Sequence, residues 1–228
     1  MEHLHNGFTL DLCQGAFPLS TDSIALSGFV RLPKQANVLD LGAGCGTLGL
    51  LLCAEDQNCT ITGIEVDENA HRTALKNAKS NTLSSRLTSI CADLRTVPSL
   101  FASGSFHCCV SNPPYFSAGQ ESANSKARHE QLCALDDLFA AAQWAVRYGG
   151  DFFLVHKPER LAEICACATA HKMEPKRLLL LRHKASDPIS LVLLQCRKRA
   201  KAGLIIEEAY LQESDGEPSE YYRRLYHI

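Results

Sequence analysis

From Asn37 onward, short apolar runs alternate with stretches of helical periodicity. Val38 to Leu41 reads as a buried strand ending in glycines, and Leu48 to Ala54 begins a helix. Thr60 to Val66 is a β-branched strand, followed by a polar amphipathic helix over Glu68 to Asn81. Leu87 to Cys91 is a short strand closed by Asp93. Phe106 to Ser111 is another, stopped by Pro113 and Pro114, which supply no ladder N–H. The pattern then predicts a helix over Asp136 to Tyr148 with a Gly149-Gly150 stop, a strand over Asp151 to His156, and a helix over Glu159 to His171. Lys176 to Arg182 and Ile189 to Cys196 close the series as two strands with no helix between them.

This alternation predicts an α/β fold, a mostly parallel seven-stranded sheet with helices on both faces and an antiparallel edge. A length of 228 residues suits one domain with its own core. Residues 37–200 would form the core, 1–36 an N-terminal extension contributing to the ligand pocket, and 201–228 a C-terminal tail. Ligands on such sheets bind beyond the C-terminal ends of the strands, so the informative residues should follow the apolar runs.

Composition narrows the class without naming a function. Apolar residues make up 46% and charged residues 21%, which excludes disordered and collagen-like chains. Apolar stretches such as Leu50 to Ala54 and Leu178 to Leu181 are too short to span a bilayer, and the N-terminus lacks a basic-then-apolar signal pattern. A soluble, cytoplasmic protein with no membrane partner is expected, with a monomer favoured over an oligomer. The eleven cysteines are odd in number and never stand in a Cys-x-x-Cys spacing. They read as small hydrophobes in a reducing compartment, so no metal is expected. The net charge of −2 argues against a nucleic-acid partner, but its distribution does not. Residues 172–201 hold nine basic side chains against Glu174 and Asp187, a local +7. Such a patch can dock on a phosphate backbone, and a solvated edge is the equal alternative.

Three sites carry candidate chemistry. Asp40-Leu-Gly42-Ala-Gly44-Cys-Gly46 follows a strand and precedes a helix, where glycines permit a tight turn and close ligand approach. Its Gly-x-Gly-x-Gly spacing differs from the nicotinamide and flavin fingerprint, with Thr47 where the last glycine would sit. Asp40 suits a ligand with a positive centre, such as S-adenosylmethionine, better than a pyrophosphate. Glu65 ends the next strand, where a carboxylate can accept both ribose hydroxyls, and Asp93 follows the third, within reach of an adenine amine. Asn112-Pro113-Pro114-Tyr115 then follows the fourth strand. An Asn carbonyl and a neighbouring backbone carbonyl can both accept from one planar –NH₂ group, while Tyr115 stacks on the ring that bears it. Such an amine is a poor nucleophile. Two acceptors orient it for in-line attack, so positioning dominates and no strong general base is required.

VLDLGAGCGTLGL, GIEVDENA, AD and SNPPY resemble the ordered motifs of class I S-adenosylmethionine-dependent methyltransferases that modify planar amino nitrogens. FPLSTDSIALSGF, the Ala127-Arg128-His129-Glu130 stretch and the second half of the chain are similar to the family that methylates adenine next to the anticodon of a valine tRNA. The resemblance implies a Rossmann-like fold, S-adenosylmethionine as cofactor and tRNA as partner. It implies cofactor contacts at Thr21, Asp22, Asp40, Gly42, Gly44, Glu65 and Asp93, to which the turn adds Gly46 and the tetrad Asn112. Target-adenine contacts are implied at Asn112, Pro113 and Tyr115, with Pro114 completing the tetrad. Arg128, His129, Lys184, Arg197, Lys198 and Arg199 are the candidates for RNA contact; an ion pair with Glu130 is the alternative for the first two. Glutamine methylation of release factors, DNA adenine methylation and a non-catalytic nucleoside-binding scaffold remain competing readings. The first calls for a helical N-terminal substrate domain, and only about thirty-six residues precede Val38. DNA would call for extra recognition elements.

Overall fold

The computed structural model describes residues 1–4, 7–16, 18–113 and 135–228. A two-stranded ribbon, β1 (Glu2–His3) and β2 (Thr9–Leu10), leads into helix α1 (Thr21–Phe29). There follow β3 (Asn37–Leu41), α2 (Thr47–Glu55), β4 (Thr60–Glu65), α3 (Glu68–Ser80), β5 (Leu87–Cys91), α4 (Val97–Leu100) and β6 (Phe106–Ser111). The second half holds α5 (Leu135–Ala145), β7 (Val146–His156), α6 (Leu161–Ala170), β8 (Met173–Lys184), β9 (Ile189–Lys198), β10 (Ile205–Gln212) and α7 (Glu220–Tyr226).

The large sheet has the order β10-β8-β9-β7-β6-β3-β4-β5. All neighbours pair in parallel except β9, which runs antiparallel to both β7 and β8. The mostly parallel sheet is therefore as the sequence predicts, with two corrections. It has eight strands, and the antiparallel strand lies inside the sheet because β10 adds a parallel edge beside β8. The start of β10 escapes sequence reading because Ile205 and Ile206 are exposed and Glu207 and Glu208 follow, so no two-residue alternation marks it.

Helix α5 also stops three residues before the sequence suggests. Val146 already pairs with Phe106, the chain detours through Arg147 to Gly150, and pairing resumes at Asp151 opposite Cys108. Gly149 has φ +70°, and a Cβ on Gly150 would lie 2.5 Å from the His107 carbonyl oxygen. The two glycines thus serve a bulge within β7, where side chains do not fit, and do not end a helix.

Central strands are buried on both faces, as parallel strands between helix layers require. Val38, Cys108, Val110, Phe153 and Val155 face α1 and α2; Leu39, Leu41, Cys109, Phe152 and Leu154 face α5 and α6. Residues 201–228 are built into the first of these layers. Leu225 of α7 fills the notch at Gly28 of α1, where a Cβ would sit 2.3 Å from its Cδ2. Among the described residues no helix is long and apolar enough to cross a membrane.

Candidate cofactor and substrate site

Strands β3, β4 and β5 are neighbours in register, so Asp40, Glu65 and Asp93 come out at one end of the sheet. Between β3 and α2 the chain turns through Gly42 (φ +75°), Gly44 (φ +55°) and Gly46 (φ +82°), a left-handed path that side chains oppose. The N–H groups of Gly42 and Ala43 both donate to the Ile64 carbonyl at 3.0 Å. Gly44 N–H donates to Glu65 Oε2 at 2.7 Å, and Glu65 Oε1 accepts from Asp67 N–H at 2.8 Å. Glu65 therefore braces the turn from the next strand as well as ending that strand. A Cβ on Gly63 would lie 2.7 Å from the Ala43 Cβ, so the close seating of the turn on β4 depends on glycine there.

Asp40 is the chemically loaded residue of this end. Its side chain is buried, and Oδ2 has no hydrogen-bond partner among the described residues. Burial, with the Glu65 charge adding to it, raises its pKa to about 7. A buried carboxylate oxygen with nothing to accept from fits a ligand that brings a positive centre or an N–H donor. The open Asp40 oxygen beside the glycine turn thus fits a ligand such as S-adenosylmethionine. Asp93 differs. It caps the following turn by accepting from Arg95 N–H at 2.9 Å, and the paired Arg95 guanidinium holds its carboxyl below the usual range.

The adjoining part of this end is built by β6 and α1. Ser111 Oγ donates to the Leu41 carbonyl at 2.7 Å, tying the end of β6 to the end of β3. Asn112 follows, and its Nδ2 donates to Ser23 Oγ at 2.9 Å. That bond brings the first turn of α1, with Thr21 and Asp22, to the same end of the sheet. Pro113 is buried beyond Asn112, whereas Pro114, Tyr115, Arg128 and His129 lie outside the described residues. Ser23 and Ser111 are neighbours of this end of the sheet that sequence reasoning did not single out. The signal for Ser23 was a hydroxyl on the first turn of a helix that otherwise buries aliphatic residues. His156, at the tip of β7, is buried, accepts from Lys157 N–H at 2.8 Å through Nδ1, and has its pKa lowered mainly by burial.

The N-terminal segment is laced to α3 beside the glycine turn. Asn81 exchanges two hydrogen bonds with Thr9, at 2.8 Å each, and Asn77 exchanges two with Asp11, at 2.9 Å each. Asn77 Nδ2 also reaches the Cys45 carbonyl at 2.9 Å, and the Cys13 and Cys45 sulfurs are 3.6 Å apart. Two asparagines four apart on one helix face thereby replace a missing strand partner.

The basic segment does not form one surface. Because β9 is antiparallel, Arg197 lies opposite Asp151 and Lys198 opposite Met173, at the N-terminal end of the parallel strands. This is about 17 Å from the tip of β7, at roughly 3.3 Å per residue. Arg197 makes two hydrogen bonds to Asp151, at 2.8 and 3.1 Å. Lys198 is buried, with Nζ donating to the Val146 carbonyl at 2.7 Å. Lys198 as an RNA contact is corrected on this geometry, since its ammonium is committed within the protein, whereas Arg197 is half-exposed at the same end. Arg199 is exposed but shares the far end. Lys184 ends β8 on the near side. Arg177 and Arg182 pair with Glu207 and Glu208 of β10, which turns much of the local charge inward. Away from the site, Asp136, Cys167 and His171 each offer a metal-ligand atom within 4.8 Å of the others, and a 2.7 Å contact between Asp136 and His171 accounts for that grouping.

Comparison with known proteins accords with this arrangement. The family model described as the methyltransferase small domain matches residues 23–165. A tRNA1(Val) (adenine(37)-N6)-methyltransferase from Aeromonas hydrophila is 29% identical over 226 residues, covering 96% of this chain and 92% of its own. Among solved structures, a predicted O-methyltransferase from Agrobacterium tumefaciens superposes with a TM-score of 0.77 at 20% identity, covering 91% of this chain and 96% of its own. The geranyl diphosphate C-methyltransferase of Streptomyces coelicolor, solved with S-adenosyl-L-homocysteine, reaches 0.59 at 10% identity over 77% and 76% of the two chains. These two likenesses concern the fold alone.

Proposed function

The chain belongs to the methyltransferase small domain family, and on that premise we propose that it transfers a methyl group from S-adenosylmethionine to the N6 amine of an adenine in tRNA, next to the anticodon of a valine tRNA. The observation that carries this reading is a buried Asp40 oxygen, without a partner among the described residues, and the Asn112 amide at adjoining strand ends. The name of the Aeromonas relative supports the tRNA adenine as target.

When bound, S-adenosylmethionine supplies an electrophilic methyl group. Asp40 and the Gly42–Gly46 turn would hold its charged end, Glu65 its ribose and Asp93 its adenine, with Thr21 and Asp22 closing the pocket from α1. Asn112, with its Nδ2 turned to Ser23, presents Oδ1 as an acceptor for the target amine. The Pro113 carbonyl is proposed as the second acceptor and Tyr115 as the stacking ring. These residues bind and orient the amine, so their contribution is positional. The RNA face is placed at the sheet end that carries Asn112, with Lys184 on its border and Arg128 and His129 as further contacts. The enzyme is assigned to the cytoplasm, as a monomer without a metal.

Methyl transfer from labelled S-adenosylmethionine to bulk unmodified tRNA, followed by nucleoside analysis, tests the reading. N6-methyladenosine is the expected product. Label absent from tRNA but present in a release factor or DNA would retain the cofactor site and overturn the substrate.

A further inference from the structure

Cys13 and Cys45 stand 32 positions apart in the chain, yet their sulfurs lie 3.6 Å from each other beside the glycine turn. We propose that the two thiols form a redox-modification site, a reversible disulfide that ties the N-terminal segment to the Gly42–Gly46 turn and slows cofactor exchange there. The thiol pair stands on its own geometry; its effect on exchange rests on the reading of that turn as the cofactor holder.

The approach of the two sulfurs is built from both sides. Thr9, Asp11 and Cys13 are alternate positions of an extended stretch, so their backbone groups face the same way. Thr9 meets Asn81, Asp11 meets Asn77, and the Cys13 N–H donates to Cys45 Sγ at 3.5 Å. A 2.7 Å ion pair between Asp11 and Lys76 fastens the segment further. On the other side, Cys45 sits between two left-handed glycines, Gly44 and Gly46. Its carbonyl accepts from Asn77, and the neighbouring Gly44 N–H is held by Glu65. The sulfurs need to close by only about 1.5 Å to bond, which draws Cys13 onto the turn.

The two thiols differ in access to solvent. Cys13 is half-buried, whereas Cys45 is only 3% exposed. Burial raises the pKa of the Cys45 thiol to about 12, so Cys13 is the sulfur that meets an oxidant first. Hydrogen peroxide is an oxidant small enough for the site. The Cys13 sulfur attacks one peroxide oxygen, the O–O bond breaks, and the other oxygen leaves as water with the Cys13 proton. The Cys45 sulfur then attacks the resulting sulfenic acid, and its hydroxyl leaves as a second water with the Cys45 proton. The two sulfurs lose two electrons and the peroxide gains them. A dithiol reductant reverses the bond. By contrast, Cys53 and Cys59 are buried, and Cys108 and Cys109 face opposite layers of the sheet. Beyond Cys13 the chain leads to Thr21 and Asp22 of α1, proposed above to close the pocket. A covalent tie at Cys13 removes local openings of that segment, and cofactor exchange slows with them.

The test uses the full chain, wild type and Cys13→Ser, either reduced with dithiothreitol or treated with hydrogen peroxide. Peptide mapping by mass spectrometry should find Cys13 joined to Cys45 in the oxidised wild type, and dithiothreitol should undo the link. Release of labelled S-adenosylmethionine into excess unlabelled cofactor should be about 10-fold slower from the oxidised wild type than from the reduced. Cys13→Ser should release it at the same rate before and after peroxide. Absence of the Cys13–Cys45 link, or linkage of either residue to another cysteine, would overturn the proposal. So would a linked protein that releases cofactor at the reduced rate, or a slowing that persists in Cys13→Ser. A reduced wild type that binds no labelled S-adenosylmethionine, beside an intact link after peroxide, would remove the cofactor reading and the effect on exchange with it.

Discussion

The two ends of the sheet hold buried charged residues in opposite circumstances. At one end Asp40 is enclosed with an oxygen that accepts nothing among the described residues and a pKa raised to about 7. At the other, Lys198 is enclosed with its ammonium on the Val146 carbonyl, and Arg197 is clamped to Asp151. Burial alone therefore does not mark a site. Of these buried groups, Lys198 satisfies its charge on the chain's own carbonyl and reads as scaffold, whereas Asp40 keeps an oxygen open for a ligand.

The largest expected effect lies at the open end. Asp40→Asn should weaken S-adenosylmethionine binding about 100-fold, the scale of removing one partner of a desolvated charge pair, as read by calorimetry. Without cofactor the same change should stabilise the protein at alkaline pH. The folded pKa of Asp40 lies above the ordinary carboxylate value of 3.8, so the cost of its ionisation is absent below about pH 4 and complete above about pH 7. Urea unfolding at pH 8 should find Asp40→Asn more stable than wild type; equal or lower stability would contradict the strained carboxylate.

At the closed end the effects should be on stability and smaller. Lys198→Met leaves the Val146 carbonyl without its donor and should cost about 1–2 kcal/mol in urea unfolding. Arg197→Ala should cost about 1 kcal/mol or less, since the arginine is partly exposed. Neither change should alter tRNA affinity or its salt dependence. The smallest contrast separates a half-buried cation, Lys184, from an exposed one, Arg199. Lys184→Glu should lower the salt slope of tRNA binding by about 1, and Arg199→Glu should leave it unchanged. The reverse order would move the RNA face to the other end of the sheet.

Much of this contrast was legible in the sequence, and the illegible part has a physical explanation. Strand-ending positions are local properties of the apolar pattern, so Asp40, Glu65, Asp93 and Asn112 could be placed at strand tips from spacing alone. Their convergence followed from parallel pairing. The layout of the basic segment was illegible because nearness in sequence is not nearness in space. One antiparallel strand sends Arg197 to Arg199 to the end opposite Lys184. The partners that neutralise Arg177 and Arg182 sit on β10, a strand without alternation. The Ser23–Asn112 bond was also out of reach, since it joins segments on separate elements and no periodicity reports such a meeting.

The central claim is that the end of the sheet bearing Asp40 holds the cofactor through an open carboxylate. It is tested most directly by titrating S-adenosylmethionine into the wild-type protein between pH 6 and pH 8.5. The account predicts affinity that weakens as pH falls below about 7, with proton release on binding, and an Asp40→Asn variant whose weaker affinity no longer carries that dependence. Equal affinity across the range, or a pH dependence that survives in Asp40→Asn, would contradict it.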